Sequence, residues 1–179
     1  MNANWDRPRL EVAPVEIIDG DRGTNYPKTA DFSESGYCLF LNADNVTSTG
    51  FNFDDCSFVT QEKDEALRKG KLKRYDVVLT TRGTVGNVSY YGETVPFENI
   101  RINSGMVILR PSNDEVDPLF LYQFVRSQDF ARQVASLRSG TAQPQLPIRD
   151  IKQIKLPIPR FPNSERSRRS LERWTTRSS

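Results

Sequence analysis

The chain has 179 residues, with 25 Lys and Arg against 23 Asp and Glu, no histidine and two cysteines. Its length predicts one domain, and a mean hydropathy of −0.60 leaves no stretch near the roughly 18 apolar residues of a membrane span. The lack of histidine excludes Ser-His-Asp and Cys-His catalysis and imidazole zinc sites, and Cys38 and Cys56 are too few for a thiolate cage and too far apart for a CxxC pair.

The start Met-Asn-Ala-Asn-Trp-Asp has no apolar signal region, so the expected location is the cytoplasm, with both thiols reduced. Five arginines and two glutamates fall between Glu165 and Ser179, which leaves residues 1–164 with a net charge of −1. A neutral body argues against sequence-blind phosphate binding, although it does not exclude reading of base edges.

In chain order, the predicted strands are Tyr37 to Leu41, Asp76 to Thr81, Val88 to Tyr91 and Met106 to Arg110, each rich in β-branched, aromatic or aliphatic residues and bounded by turn formers. Thr81 to Asn87 is the turn between two of them. A short polar helix begins after Thr60 as N-cap and ends at Gly70. Its basic end, Arg68, Lys69, Lys71, Lys73 and Arg74, reads equally as a solvated helix end or as a phosphate contact. Asp117 caps a second helix with Pro118 at its first position, and Ser127 caps a third that turns Phe130, Val134 and Leu137 inward. After a loop from Thr141, Ile154 to Ile158 is extended. The fold class is α+β: a compact β-rich domain over residues 1–160, with a short helix and a C-terminal helix pair packed on the sheet. Residues 161–179, rich in Arg and Ser, read as a flexible tail.

No phosphate loop, dinucleotide fingerprint, nucleophile set or metal cage is visible, so neither cofactor nor metal is expected and an enzyme in its own right ranks last. Five loops instead concentrate amide, hydroxyl and guanidinium groups: 20–28, 41–45, 80–87, 99–104 and 138–145. Arg pairs bidentately with guanine and Asn or Gln with adenine, so these types suit the major groove. Arg22, Asn25, Tyr26, Arg82, Thr84 and Asn87 are the first candidates for a reading edge, followed by Arg101, Asn103 and Ser104. Lys28, Lys71 and Lys73 are candidates for DNA contact, the last two for phosphates. Arg138, Thr141 and Gln143 are candidates for positioning, or simply pin the helix pair to the sheet. The competing reading is a protein-interaction module, with the apolar stretch Leu119 to Leu137 and Tyr90, Tyr91 and Phe97 forming a docking face.

An ordered series of segments resembles the target recognition domain of specificity subunits in type I restriction-modification systems. It comprises Glu16 to Gly23 with Tyr26-Pro27, Tyr37 to Val46, Leu72 to Val88, and Leu119 through Arg138-Ser-Gly-Thr-Ala-Gln-Pro-Gln to Ile154-Lys-Leu-Pro-Ile-Pro159. The resemblance implies a reader of half of a bipartite double-stranded DNA site, partnered by modification subunits that methylate adenine with S-adenosylmethionine and by ATP-driven restriction subunits. From Ser164 onward the chain departs from the family's long apolar-periodic helix, and no second recognition domain follows. The expectation is therefore a single recognition domain, natural fragment or truncated piece.

Overall fold

The computed structural model describes residues 5–137 and 145–159. The expectations for Arg138, Thr141 and Gln143 and for the tail 161–179 lie outside the described residues.

The elements in chain order are β1 (Trp5–Asp6), β2 (Val15–Asp19), β3 (Cys38–Leu41), β4 (Val46–Thr47), β5 (Gly50–Phe51), β6 (Phe58–Val59), α1 (Gln61–Ala66), β7 (Val77–Thr80), β8 (Val88–Tyr90), β9 (Ile100–Ile102), β10 (Met106–Pro111), α2 (Pro118–Val125), α3 (Gln128–Leu137), α4 (Ile148–Ile151) and β11 (Ile158–Pro159). The central sheet is antiparallel, in the order β2-β10-β7-β8. Its middle strands read as unbroken apolar runs, Val-Val-Leu and Met-Val-Ile-Leu, because both of its faces are covered. Side chains alternate across a strand, so Val77, Leu79, Val107 and Leu109 face a core shared with Leu121, Phe124, Phe130, Val134 and Ile151 of α2, α3 and α4. Val78, Met106 and Ile108 face the opposite core, shared with Leu39, Leu41, Ile100 and Ile102 of a second sheet ordered β6-β3-β9. Behind that sheet, Cys38, Phe40, Val59 and Leu67 form a third small core beneath α1. The α+β class and the helix pair on the sheet agree with the expectation.

Caps settle the helices as the residue types predict. The Asp117 carboxylate accepts from the amides of Leu119 and Phe120 at 2.9 and 3.0 Å, and Ser127 Oγ accepts from Phe130 N. Thr60 Oγ1 accepts from Lys63 N. α1 stops at Ala66, before Gly70, because Leu67 turns extended and is buried. The basic cluster therefore lies on an extended segment beyond the helix. One further expectation is corrected: Ile100 to Ile102 belongs to a buried strand where a polar loop was expected. β2 and α4 were not among the elements predicted from pattern.

Most of the docking face expected of the interaction-module reading is buried, although Leu119 is 54% exposed and Tyr90 half-buried. Tyr91 is 2% exposed, with its hydroxyl donating to the carbonyls of Phe97 and Glu98. Phe97 packs against Phe53 and Phe58, and Leu121, Phe124, Val125, Phe130 and Val134 of α2 and α3 turn into the core. Both cysteines are free, and burial, with the Asp64 charge beside it, pushes the Cys38 thiol up to about 12, well above a reactive range.

Candidate nucleic-acid interface

Antiparallel pairing brings the C-terminal ends of β2 and β7 to the N-terminal end of β10, as the partners Val107 with Asp19 and Met106 with Thr80 record. The loops leaving these ends, 20–28, 81–87 and 103–105, therefore meet at one end of the central sheet. Gly20 allows the closest approach, since a Cβ there would stand 2.1 Å from the Asn103 carbonyl oxygen. The Gly105 carbonyl accepts from the amides of Thr81 and Arg82, and Asn103 Oδ1 closes the turn by accepting from Gly105 N. In the β7–β8 hairpin Gly83 and Gly86 take φ of 69° and 99°, the left-handed region that glycine enters without strain.

Most of the first candidates gather here. Arg22 lies across the edge, its Nη2 donating to the Ser104 carbonyl at 3.0 Å and to Asp19 Oδ1 at 3.2 Å, with 47% of its side chain still exposed. Tyr26 Oη accepts from Ser104 N, and its ring meets Phe40 edge-on. Asn25 is exposed and donates to the Ala66 carbonyl, which ties the loop to the end of α1. Arg82 and Thr84 are exposed on the hairpin. A hollow of about 290 Å³ opens between Arg22, Arg82, Asp19 and Gln145, floored by Val107 and Leu146.

Others are placed differently. Asn87 Nδ2 donates to the Val46 carbonyl at 2.8 Å, and its backbone amide bonds Thr80 Oγ1, so its amide group closes the hairpin onto the neighbouring segment. Lys28 is exposed, but at the head of a turn whose Asp31 pairs with Lys63 of α1. Arg101 departs furthest from expectation. It is 5% exposed, and its guanidinium donates to the Asp64 carboxylate and to the carbonyls of Asp64, Leu67 and Lys69. The reason is strand alternation: Ile100 and Ile102 face the central core, so residue 101 faces α1 and the carboxylate waiting there.

Lys71 pairs with Asp64 and stands over the Tyr37 ring, while Lys73 is exposed near the start of β7, at the far end of the sheet. Together with Arg68 and Lys69 they line a groove of about 500 Å³ along β2. Arg68 and Lys69 are exposed and lie nearer the loop end of the central sheet than Lys73. Asp21 holds them there, accepting from Arg68 N at 2.7 Å, Lys69 N at 3.3 Å and Gly23 N at 2.6 Å. Burial would raise the Asp21 carboxyl, but these three donors outweigh it and hold it below the usual range. No spacing rule singles out Asp21, because its partners are backbone amides brought in by the fold.

Among the described residues no cluster of three His, Cys, Asp or Glu side chains is placed to hold a metal, and no helix is long and apolar enough to cross a membrane. Loops bearing guanidinium, amide and hydroxyl groups on a rigid layered scaffold define a recognition module. The chain belongs to the type I restriction modification DNA specificity domain family, whose family model matches residues 11–172. It is 26% identical over 161 residues to the type I restriction enzyme MjaVIII specificity subunit of Methanocaldococcus jannaschii, a match that covers 87% of this chain and 36% of that protein. The fold resembles a chain solved in work on complex assembly and conformational transition of the type I R-M system (TM-score 0.63, 16% identity, 99% of this chain, 40% of that one). It also resembles the HsdS subunit from Thermoanaerobacter tengcongensis (TM-score 0.61, 18% identity, 94% and 36%). The chain thus spans little more than a third of the curated relative it matches.

Proposed function

We propose that this domain reads one half of a bipartite double-stranded DNA target for a cytoplasmic type I restriction-modification complex. In that complex, methyl transfer and cleavage reside in the modification and restriction subunits. The observation that carries the reading is the meeting of three loops at one sheet end, with Arg22 and Arg82 exposed on either side of the hollow. Family membership supports the same reading. Arg82 and Arg22 face base edges, Asn25, Tyr26, Thr84, Asn103 and Ser104 shape and flank that edge, and Arg68, Lys69, Lys71 and Lys73 meet the phosphates. A single module of this kind buries about 600–1,000 Å² on DNA, and the near-neutral body adds little general attraction, so the chain alone binds weakly.

Competition binding of Arg82→Ala and Lys73→Ala tests the reading. Arg82→Ala is expected to lose about 1–3 kcal/mol on the preferred sequence and to relax one position. Lys73→Ala weakens all sequences alike and lowers the salt slope by about one. Equal losses on every sequence for both variants would refute the assignment of Arg82 to bases.

A further inference from the structure

We infer that Gln145 is a specificity-determining residue of the same edge, acting beside Arg82 and reading an adenine in the base pair next to the one Arg82 reads. The inference rests on the function proposed above. Arg82 and Gln145 are partners in an isolated antiparallel bridge. The Leu146 amide donates to the Thr81 carbonyl at 2.9 Å, one residue past Gln145 and one before Arg82, which marks the two as a non-hydrogen-bonded pair. In such a pair the side chains leave the same face and stand closest, with Cβ atoms about 4.5–5.5 Å apart. That separation suits neighbouring base pairs, stacked about 3.4 Å apart along a strand.

Both residues are exposed, and within the described residues no hydrogen bond or ion pair ties down the Arg82 guanidinium or the Gln145 amide. Their backbones are fixed. Leu146, next to Gln145, is buried at 1%, Pro147 is the N-cap of α4, and Arg82 N donates to the Gly105 carbonyl. Two polar heads with no partner among the described residues, carried on an anchored backbone, leave only their own side chains to be ordered on binding.

The chemistry of the hollow separates a base edge from a phosphate. Asp19 lines it and pairs with Arg22, so one of its two guanidinium charges is already matched and a carboxylate faces any incoming anion. The Asp19 carboxylate opposes an anion on the Arg22 side of the hollow, whereas a base edge offers donors as well as acceptors. The Gln amide matches adenine N6 and N7, as Arg matches guanine O6 and N7. The apolar floor of Val107 and Leu146 supplies no competing hydrogen bond.

Selection of bound duplexes from a random pool at low salt tests this with the full chain, its Arg82→Ala form, Gln145→Ala and Gln145→Glu. Thermal melting serves as the check on folding, which substitution at this exposed site should leave unchanged. The unsubstituted chain is expected to enrich a short motif. Gln145→Ala loses adenine preference about 5- to 150-fold at one position, adjacent to the one that Arg82→Ala relaxes. Gln145→Glu, an acceptor only, shifts that position toward cytosine, whose N4 is a donor. If Arg82→Ala relaxes the motif while both Gln145 variants leave it unchanged, the inference is overturned and the reading edge stands. If the unsubstituted chain enriches no motif, the proposed function and this inference fall together.

Discussion

Asp64, 1% exposed, accepts from Arg101 on one oxygen and from Lys71 on the other, so a single buried carboxylate joins α1, β9 and the basic segment. Burial pushes its pKa up, but the two cations outweigh burial and hold it below the usual carboxylate range. A carboxylate depressed in the folded state contributes stability above the unfolded pKa, about 3.9 for Asp, and that contribution is lost as pH falls through the folded value. Asp64 and Asp21 together therefore predict that stability holds down to about pH 4 and falls steeply below it, as urea unfolding across pH would record. Asp64→Ala leaves Arg101 buried without its carboxylate and is expected to cost about 3–5 kcal/mol. A loss below about 1 kcal/mol would mean that the pair is solvated, as surface pairs are. The contrast with Arg22 explains what the sequence does and does not disclose about the site. Arg22 sits in a Gly-Asp-Arg-Gly turn, where exposure is the rule, and is found by residue type alone. Arg101 has the same chemistry but lies between two isoleucines, and that alternation marks a strand whose second face is covered by another layer. Gln145 closes the polar loop 138–145, but residue type does not set it apart from Gln143, because its partner Arg82 comes from a distant hairpin.

Among the elements, α2 was the most legible, since Asp-Pro followed by Leu-Phe-Leu is a cap, a first-turn proline and an apolar face in order. Asp117→Ala is expected to cost about 0.5–2 kcal/mol, typically about 1, through loss of the capping bonds. DNA preference should not change, because α2 lies on the helix face of the central sheet, away from the loop end. Altered sequence preference in this variant, measured by competition binding, would place the interface on the helices instead. Three of the four central strands, β7, β8 and β10, were legible from β-branched, aromatic and aliphatic residues between turn formers, whereas β2, with Glu16 and Asp19 among its five residues, was not predicted from pattern. The second sheet was less so. β6 has two residues and β9 three, and the parallel pairing of β3 with β9 joins remote segments that no turn signal announces. The four-residue α4 is too short for a helical period to show.

For the molecule as a whole, the layers divide the work. Helices and the second sheet cover both faces of the central sheet, so its loop end is left to carry polar side chains on a fixed frame. Net charge over the body is −1, and cations line the β2 flank from Lys73 at the far end of the sheet to Arg68, whose guanidinium lies beside Gly23. Under the proposed function, local charge of this kind would steer DNA to one side without the broad affinity that blunts discrimination. The fold class was legible in composition and pattern, whereas the convergence of the loops follows from strand pairing that emerges only in three dimensions. Amide hydrogen exchange with and without the selected duplex tests the central claim most directly, because it locates the contact residue by residue. The account predicts slowed exchange in segments 20–26, 81–87 and 103–105, with α2 and α3 unchanged. Protection confined to α2 and α3, with the three loops unaffected, would contradict it.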